Sequence, residues 1–251
     1  MSTTIINKTI TMWASPKAQL SVPFAGPWEA YGSFGINAAT SVRNLISGKP
    51  AFSIIGSPAY GPNYIELTGA QVAYLATSIK NTEDMTIVAS VMPMNDASSA
   101  VVSNYQSQRA DGTGLCIGTQ LGFDINKPAD GNVQATFNHG VLVNGVSTGA
   151  RANTPDAPIN TWSLISGRVK NSARTRTVNN LTTGTTGVNS PALNPADLGD
   201  FLRIGSAYNS QFGGVVRVCE VAILSGYLSD ADFALLVQRM RDSAAKKGIM
   251  V

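Results

Sequence analysis

Eleven short strand-like segments, separated by turn residues, constrain the fold of this chain more than any other feature. Each is five to eleven residues long, rich in β-branched and other apolar residues, and bounded by Gly, Asn, Asp, Ser or Pro. They are 51–56, 63–69, 85–92, 100–105, 115–125, 132–137, 140–146, 162–170, 174–178, 201–207 and 215–224. Little helical periodicity lies between them. Many short strands with regular turn signals predict a two-sheet sandwich or a barrel.

Two of these segments indicate how the strands are placed. Segment 85–92 alternates between an apolar face and a mixed Thr/Val/Ser face, which predicts a half-buried strand. Segment 215–224 is apolar on both faces apart from Arg217 and Glu220. We therefore expect it at the centre of a sheet.

Composition limits the class of protein. The 251 residues are 43% hydrophobic and 13% charged, with a net charge of +3, so the chain is too apolar for disorder and too weakly charged to indicate nucleic-acid or membrane-surface binding. Cys116 and Cys219 lie among apolar residues, which suits buried thiols, although a bridge between strands is an alternative. With one histidine, His139, and no C-x-x-C motif, a zinc site is not expected.

Outside the strand-rich region, the first part of the chain is irregular. We predict an aromatic-containing docking or covering segment over 1–50 and one domain over 51–251. Trp13, Phe24 and Trp28 are the candidates for contact with a neighbouring subunit, and the alternative is that Trp28 and Tyr31 are buried locally. The Thr/Gly/Asn-rich stretch 181–195 reads as a surface loop. No secretory signal and no apolar stretch of roughly 20 residues is visible, so we expect a soluble protein made in a cytoplasm.

The end of the chain predicts one helix, over 229–247. Ser229 is a suitable N-cap, and Asp232 occupies the N3 position of a capping box. An apolar stripe follows at helical spacing and predicts packing against the body of the protein. It consists of Phe233, Leu236, Val237, Met240 and Ala244.

The order "FLRIGSAYNSQFGGVVRVCEVAILSGYLSDADFALL", residues 201–236, resembles the end of a concanavalin A-like, laminin G-like jelly roll. Upstream, "NYIELTG", "NTEDMTIVASVMP" and "NTWSLISGRV" follow in the family's order. The resemblance implies a mainly β jelly-roll sandwich of two antiparallel sheets with one C-terminal helix. The extended helix ending in "AAKKGI" is similar to versions in bacteriophage and prophage structural proteins.

Glucanases of this fold place acidic residues at alternate positions of one strand, because retaining hydrolysis needs two carboxyl groups roughly 5 Å apart. The four glutamates of this chain have no acidic partner two or four residues away. No nucleophile elbow and no phosphate-binding loop is present either. We therefore expect no enzymatic activity.

A carbohydrate site would combine aromatic rings with polar groups on loops held by a rigid scaffold. The candidate residues are Asp111, Asn138, His139, Tyr208, Asn209 and Gln211. The alternative is that Tyr208 and Phe212 pack their loop and the polar residues complete turns. The resemblance further implies calcium as a possible ligand, with Asp111, Asp124 and Asp130 as the candidate ligands.

The segment "GRVKNSARTRTVNN" has basic residues at even spacing: Arg168, Lys170, Arg174 and Arg176. In a hairpin that turns near Asn171 and Ser172, all four would share one face. This basic strip would meet an acidic polysaccharide, a lipopolysaccharide phosphate or an acidic subunit, or it is a solvated sheet face.

The resemblance makes a non-enzymatic virion protein of a tailed phage the leading hypothesis, either a capsid decoration protein or a tail-fibre module. The alternative is a carbohydrate-binding module that recognises a bacterial surface glycan, and a glucanase-type hydrolase is third. The expected partners are other virion proteins, copies of the same chain, with a trimer favoured, and a host-surface polysaccharide. No cofactor other than calcium is expected, and the expected location is the virion.

Overall fold

The computed structural model describes residues 21–125, 132–155 and 157–251. The strands are β1 (Trp28–Ser33), β2 (Ser53–Ile55), β3 (Ala59–Tyr60), β4 (Ile65–Thr68), β5 (Tyr74–Lys80), β6 (Met85–Pro93), β7 (Ser99–Ser103), β8 (Thr119–Asp124), β9 (Asn132–His139), β10 (Val141–Val143), β11 (Val146–Thr148), β12 (Arg151–Asn153), β13 (Ala157–Pro158), β14 (Ser163–Lys170), β15 (Thr175–Asn180), β16 (Thr185–Asn189), β17 (Phe201–Ile204) and β18 (Val215–Leu224). The helices are α1 (Ala38–Ser41) and α2 (Asp230–Lys246), with a short 3-10 helix at Asn171–Ala173.

These strands form two antiparallel sheets. The first has the order β16–β15–β14–β6–β18–β4–β3, with β1 pairing with β18 next to β4. The second has the order β12–β9–β8–β7–β17–β5–β2, with β13 pairing with β9, and β10 and β11 form a separate hairpin. The predicted two-sheet sandwich with a C-terminal helix is confirmed.

The core lies between the inner faces of the two sheets. Apolar side chains from both sheets form one cluster, which includes Ile87 and Val218 of the first sheet and Phe123 of the second. The sheets approach closely at Gly167 of β14, where a β-carbon would lie 2.0 Å from the ring of Phe137. A side chain larger than hydrogen at this position would therefore push the sheets apart.

Helix α2 covers the outer face of the first sheet. Leu236, Val237 and Met240 of α2 pack with Val88 of β6 and Leu224 of β18 in a second apolar cluster. Strand β6 is consequently buried along its whole length, so the prediction that segment 85–92 is half-buried is wrong. The cause is long-range, because its mixed face is covered by a helix from the other end of the chain. The predicted central position of segment 215–224 is confirmed, since β18 pairs with β6 on one side and with β4 and β1 on the other.

The predicted Ser229 N-cap of α2 is confirmed, whereas the Asp232 carboxylate bonds the Ser229 hydroxyl and not the backbone N–H that a capping box would use. The Ser229 hydroxyl accepts a hydrogen bond from the Asp232 backbone N–H at 3.1 Å and donates one to the Asp232 carboxylate at 2.8 Å. The first of these bonds gives a partner to one of the backbone N–H groups that cannot bond within the first turn of the helix.

The expected irregular segment 1–50 is corrected for its second half, because β1 belongs to the first sheet. The free edge of β1 is closed by Asn44, whose Oδ1 accepts from the Tyr31 N–H at 3.2 Å and whose Nδ2 donates to the Glu29 carbonyl at 3.0 Å. Leu45 N–H adds a bond to the Tyr31 carbonyl at 2.9 Å. Residues 28–45 are therefore part of the sandwich.

The predicted surface loop 181–195 contains the edge strand β16, so it is a loop only in part. Cys116 and Cys219 are both free and buried, and they do not form the bridge considered as an alternative.

Within the described residues, no helix combines the length and apolarity needed to cross a bilayer.

Candidate functional site

An arginine and two tyrosines meet on the outer face of the second sheet. The alternation of β17 places Leu202 and Ile204 in the core, so Arg203 between them points outward. The Arg203 guanidinium carbon lies 3.5 Å from the ring centroid of Tyr208 and 4.6 Å from that of Tyr74. We refer to Arg203, Tyr208 and Tyr74 as the arginine–tyrosine cluster.

Hydrogen bonds to neutral groups hold the cluster in place. Arg203 Nη1 donates to the Gln71 side-chain oxygen and to the Ala207 carbonyl, both at 3.0 Å. The Tyr208 hydroxyl donates to the Phe201 carbonyl at 2.9 Å. Since neither acceptor of Arg203 is charged, these bonds orient the guanidinium without neutralising it.

The protonation of Tyr208 follows from its surroundings. Partial burial raises the pKa of the Tyr208 hydroxyl above its usual value of 10.0, and the nearby Arg203 opposes this shift. The hydroxyl is therefore protonated at neutral pH and remains a hydrogen-bond donor to Phe201.

A second cation and an exposed aromatic ring extend the cluster along the same two strands. Lys80 of β5 pairs across the ladder with Phe201 of β17, and Lys80 Nζ lies 5.4 Å from the Phe201 ring centroid. The Phe201 side chain is 43% exposed, which is unusual for a phenylalanine. This part of the second sheet thus presents two cations next to accessible aromatic surface.

Ring packing and a backbone hydrogen bond, both to Tyr105, hold the loop that carries Tyr208 in place. Phe212 is buried and meets the ring of Tyr105 edge-on at a centroid distance of 5.4 Å. The Tyr208 backbone N–H donates to the Tyr105 carbonyl at 3.0 Å. Phe212 therefore packs the loop, whereas Tyr208 is only partly buried and keeps part of its ring accessible.

Asn209 and Gln211, which the sequence predicts as ligand-binding residues, lie in the same loop as Tyr208. Asn209 Oδ1 accepts a hydrogen bond from the Gln211 backbone N–H at 3.3 Å, so Asn209 closes a turn. The side chain of Gln211 is exposed. The structure thus brings Tyr208, Asn209 and Gln211 together in one loop, and of these three Tyr208 contacts Arg203.

Asp111 belongs to a different group of residues. Its carboxylate lies 2.6 Å from Arg109 Nη2 and accepts hydrogen bonds from the backbone N–H and the hydroxyl of Thr113. The bonds from Thr113 lower the pKa of Asp111, and the charge of Arg109 adds to this shift. Arg109 also donates to the Gly145 carbonyl in the turn between β10 and β11. Asp111 therefore orders the loop between β7 and β8 and is not placed in the arginine–tyrosine cluster.

Asn138 and His139 are adjacent on β9 but face opposite ways. Asn138 is partly exposed, and its Oδ1 accepts from the Ala150 N–H at 2.9 Å. His139 is fully buried, with Nδ1 2.9 Å from the Thr119 hydroxyl, and burial together with the charge of Arg176 lowers its pKa to about 3. The prediction that His139 contributes to a surface site is corrected, because its ring lies inside the sandwich.

The predicted basic strip does not form. The hairpin turn contains four residues, 171–174, with Lys170 paired to Thr175 and Val169 to Arg176. Even-numbered positions of β14 therefore share a face with odd-numbered positions of β15, so Arg176 points inward with Val169. Its buried guanidinium donates to the Asn171 side-chain oxygen at 2.6 Å.

The other members of the predicted strip are also separated. Arg168 is buried under α2, where its guanidinium carbon lies 4.2 Å from the Tyr227 ring centroid and 4.4 Å from that of Phe233. It donates to Asp230 at 2.9 Å. Arg174 is exposed within the turn itself, and Lys170 is exposed on the outer face. Arg168 therefore anchors the start of α2, and the four residues of the predicted strip do not share one surface.

The predicted calcium ligands are not brought together. Asp111 lies in the loop that enters β8, whereas Asp124 ends that strand, and six residues of strand span roughly 17 Å. Asp124 forms an ion pair with Arg151. Asp130 lies outside the described residues. Among the residues that the structure describes, no group of three or more His, Cys, Asp or Glu side chains could hold a metal ion.

The structure describes two of the three aromatic residues predicted to dock onto a neighbouring subunit. Trp28 is buried in β1, so the alternative of local burial is confirmed and its assignment to a subunit contact is corrected. Phe24 packs against it, with ring centroids 5.1 Å apart. Trp13 lies outside the described residues.

Sequence reasoning missed most of the arginine–tyrosine cluster. The sequence does indicate that Arg203 lies on the surface, since a cation between Leu202 and Ile204 on a strand must point away from the core. Tyr74 and Lys80 had a weaker one, because β5 has several polar residues and was not recognised as a strand.

No protein-family model matches this sequence, and no curated protein matches it. Solved structures do match its fold. The receptor-binding domain of the botulinum neurotoxin C/D mosaic serotype superposes with a TM-score of 0.56 at 10% identity, covering 86% of this chain and 52% of that chain. The Trypanosoma rangeli sialidase in complex with sialic acid gives a TM-score of 0.56 at 15% identity, covering 87% of this chain and 34% of that chain.

A third match is the botulinum neurotoxin serotype D ligand-binding domain in complex with N-acetylneuraminic acid. It has a TM-score of 0.56 and 11% identity, and covers 86% of this chain and 52% of that chain. This chain thus spans about half of the toxin domains and about a third of the sialidase. At these identities the matches show a shared jelly-roll sandwich fold of the concanavalin-like kind, as the sequence resemblance implies.

Proposed function

We propose that this chain is a non-catalytic, lectin-like module that binds glycans carrying a carboxylate or another anionic group at the arginine–tyrosine cluster. The observation that carries the proposal is the Arg203 guanidinium, which lies 3.5 Å from the ring centroid of a partly exposed tyrosine and bonds only to neutral acceptors through Nη1. A fixed guanidinium suits a carboxylate, and aromatic faces suit the C–H faces of sugar rings. Structural neighbours crystallised with sialic acid support the same class of ligand.

A glycan array with matched acidic and neutral glycans, followed by calorimetry, tests this proposal. We expect binding to acidic glycans such as sialyllactose or oligogalacturonate, and not to lactose or methyl-esterified oligogalacturonate. Arg203→Ala and Tyr208→Ala should weaken binding roughly five- to thirtyfold, since cation–π and stacking contacts contribute about 1–2 kcal/mol. Tyr208→Phe should retain binding, because the hydroxyl is used within the chain.

Lys246→Gln is the matched control for the loss of one positive charge, since Lys246 is exposed on α2 away from the second sheet. The proposal is wrong if no acidic glycan binds, or if Tyr208→Ala binds as well as the unchanged protein.

The absence of catalysis is part of this proposal and is supported by the state of the glutamates. Glu29 pairs with Lys49, Glu66 with Arg217, and Glu220 is buried with Lys247. Glu83 accepts hydrogen bonds from Asn171 and from the Ala196 backbone. Release of reducing sugar from β-glucan by the purified protein would contradict this part of the proposal.

A second candidate function is assembly into a bacteriophage particle, as a capsid decoration protein or a tail-fibre module. Exposed apolar side chains favour an assembly role: Val146, Val188 and Leu193 are 66%, 61% and 62% exposed. The segments that carry Val146 and Leu193 are neighbours, since the Leu142 N–H of β10 donates to the Pro195 carbonyl and β10 pairs with β11. Large apolar residues exposed in this way mark interfaces.

Mass spectrometry of purified particles, with copy-number estimation, tests this role, and light scattering tests the favoured trimer. Hundreds of copies would place the protein on a capsid and a handful on a tail. Absence from purified particles would overturn the role.

A further inference from the structure

We propose a second saccharide-binding surface, on the outer face of the first sheet, that takes a neutral sugar. It is formed by Tyr64, Trp162, Arg217 and Glu66, with Met92 next to Arg217 on the sheet, and we call it the aromatic shelf. It lies on the opposite sheet from the arginine–tyrosine cluster, so it is independent of the site proposed above.

The shelf is the part of the first sheet that α2 leaves uncovered. Along β18, the outward-facing residues Leu224, Ala222 and Cys219 are buried against α2 or the residues after it. The next outward residue is Arg217, which pairs across the ladder with Glu66 on one side and Met92 on the other. Both charged side chains are more than a quarter exposed.

Two aromatic rings border this opening. The Tyr64 and Trp162 ring centroids are 6.1 Å apart, with the ring planes inclined at 55°. The Arg217 guanidinium carbon lies 4.6 Å from the Tyr64 ring centroid. Both rings are partly buried, so each is supported from one side and accessible from another.

The position of Tyr64 is preorganised by its neighbours. Its ring lies over Gly61, where a β-carbon would be 2.3 Å from two ring atoms. The adjacent Asn63 donates to the Lys247 carbonyl at the end of α2, at 2.7 Å. The loop is therefore fixed to the helix, and the ring loses little freedom when a ligand binds.

The charge of the shelf indicates a neutral ligand. Arg217 Nε donates to the Glu66 carboxylate at 2.8 Å, so the two charges compensate each other. Adjacent donors and acceptors of this kind suit the hydroxyl groups of a sugar, and the two rings suit its C–H face. In the arginine–tyrosine cluster, by contrast, Arg203 bonds neutral acceptors, which suits an anionic ligand.

Titration of the ¹⁵N-labelled full chain with cellohexaose, maltohexaose and chitohexaose tests the proposal. We expect at least one of these neutral oligosaccharides to shift the indole N–H resonance of Trp162, assigned with Trp162→Phe, while that of the buried Trp28 does not move. Glu66→Gln should weaken this binding roughly tenfold or more, because it removes a charged hydrogen-bonding partner.

Glu29→Gln is the matched control, since Glu29 is also a partly exposed glutamate in an ion pair, with Lys49. It should leave the affinity unchanged. Arg203→Ala should also leave it unchanged, which separates the shelf from the arginine–tyrosine cluster.

The proposal is overturned if none of the three oligosaccharides shifts the Trp162 resonance, or if Glu66→Gln binds as tightly as Glu29→Gln. The absence of any shift would overturn the second surface while leaving the proposed function in place, whereas shifts confined to residues around Arg203 would overturn the second surface and also contradict the acidic specificity proposed for the arginine–tyrosine cluster. Loss of acidic-glycan binding in Arg203→Ala with retained neutral-sugar binding supports two separate surfaces.

Discussion

Buried ionisable side chains in this protein are stabilised in two different ways. Glu220 lies beneath α2 with Lys247 Nζ at 2.6 Å, and Tyr31 and Ser243 donate further hydrogen bonds to its carboxylate. Each buried charge there has an opposite charge beside it. His139 has none, and its Nε2 has no hydrogen-bond partner among the described residues. It is therefore buried in its neutral form.

His139 should make the stability of the protein fall in acid. Burial, aided by the charge of Arg176, lowers the pKa of His139 to about 3 in the folded state, whereas an unfolded histidine titrates near 6.5. Between these two pH values the unfolded chain binds a proton that the folded protein does not. The free energy of unfolding should therefore drop by up to about 1.4 kcal/mol per pH unit as the pH falls from 6.5 towards 3, and His139 should add no pH dependence above 6.5.

Urea unfolding of the unchanged protein and of His139→Gln at pH 7, 5 and 4 measures this effect. Carboxylates titrate in both proteins, so the difference in slope isolates the only histidine of the chain. Equal slopes would show that folding does not lower the pKa of His139.

At the scale of elements, α2 determines which part of the first sheet is accessible. It buries the outer faces of β6 and β18 and ends where the aromatic shelf begins. Its start is held by the Ser229 cap and by Arg168, which donates to the Leu228 carbonyl at 2.7 Å and to Asp230. Asp230 and Asp232 in the first turn also interact favourably with the helix dipole.

Replacing the N-cap should destabilise the protein by a measurable amount. We expect Ser229→Ala to lower the free energy of unfolding by about 1 kcal/mol, because the Asp232 N–H loses its acceptor. Ser229→Asp should retain most of the stability. The matched control is Ser57→Ala, at an exposed serine outside the helices and strands.

Chemical denaturation of the three variants gives the comparison. A loss in Ser229→Ala no larger than that in Ser57→Ala would show that this cap does not stabilise α2.

At the scale of the whole molecule, the thiols lie on different layers of the sandwich. Cys219 is in β18 of the first sheet, beneath α2, and burial raises its pKa to about 12. Cys116 lies beside the second sheet, where its sulfur is 3.1 Å from the Ser107 hydroxyl, and burial raises its pKa as well. Neither thiol is in the reactive thiolate form at neutral pH.

We therefore expect both thiols to react with Ellman's reagent only after unfolding. The native protein should show almost no reaction, and the protein in denaturant should show the full two equivalents. The melting temperature should be the same with and without reductant. Rapid labelling of the native protein, or a lower melting temperature in reductant, would contradict this prediction.

Local patterns in the sequence determined most of the architecture. All eleven strand-like segments contain strands, because alternation and turn residues act over a few neighbouring positions. The C-terminal helix and its N-cap were predictable for the same reason. Strands β1 and β5 were not recognised, because Gly32, Ser78 and other polar or flexible residues weaken their local pattern. Instead, β1 is stabilised by pairing with β18, and β5 by pairing with β17.

The tertiary structure alone decided which surfaces exist. Turn length set the register of the β14–β15 hairpin and placed Arg176 inside, although its sequence spacing favoured a shared face with Arg168. Tyr74, Arg203 and Tyr208 meet because β5 pairs with β17, and that pairing depends on packing between distant parts of the chain. Local preference specifies elements, whereas long-range packing specifies which side chains they bring together.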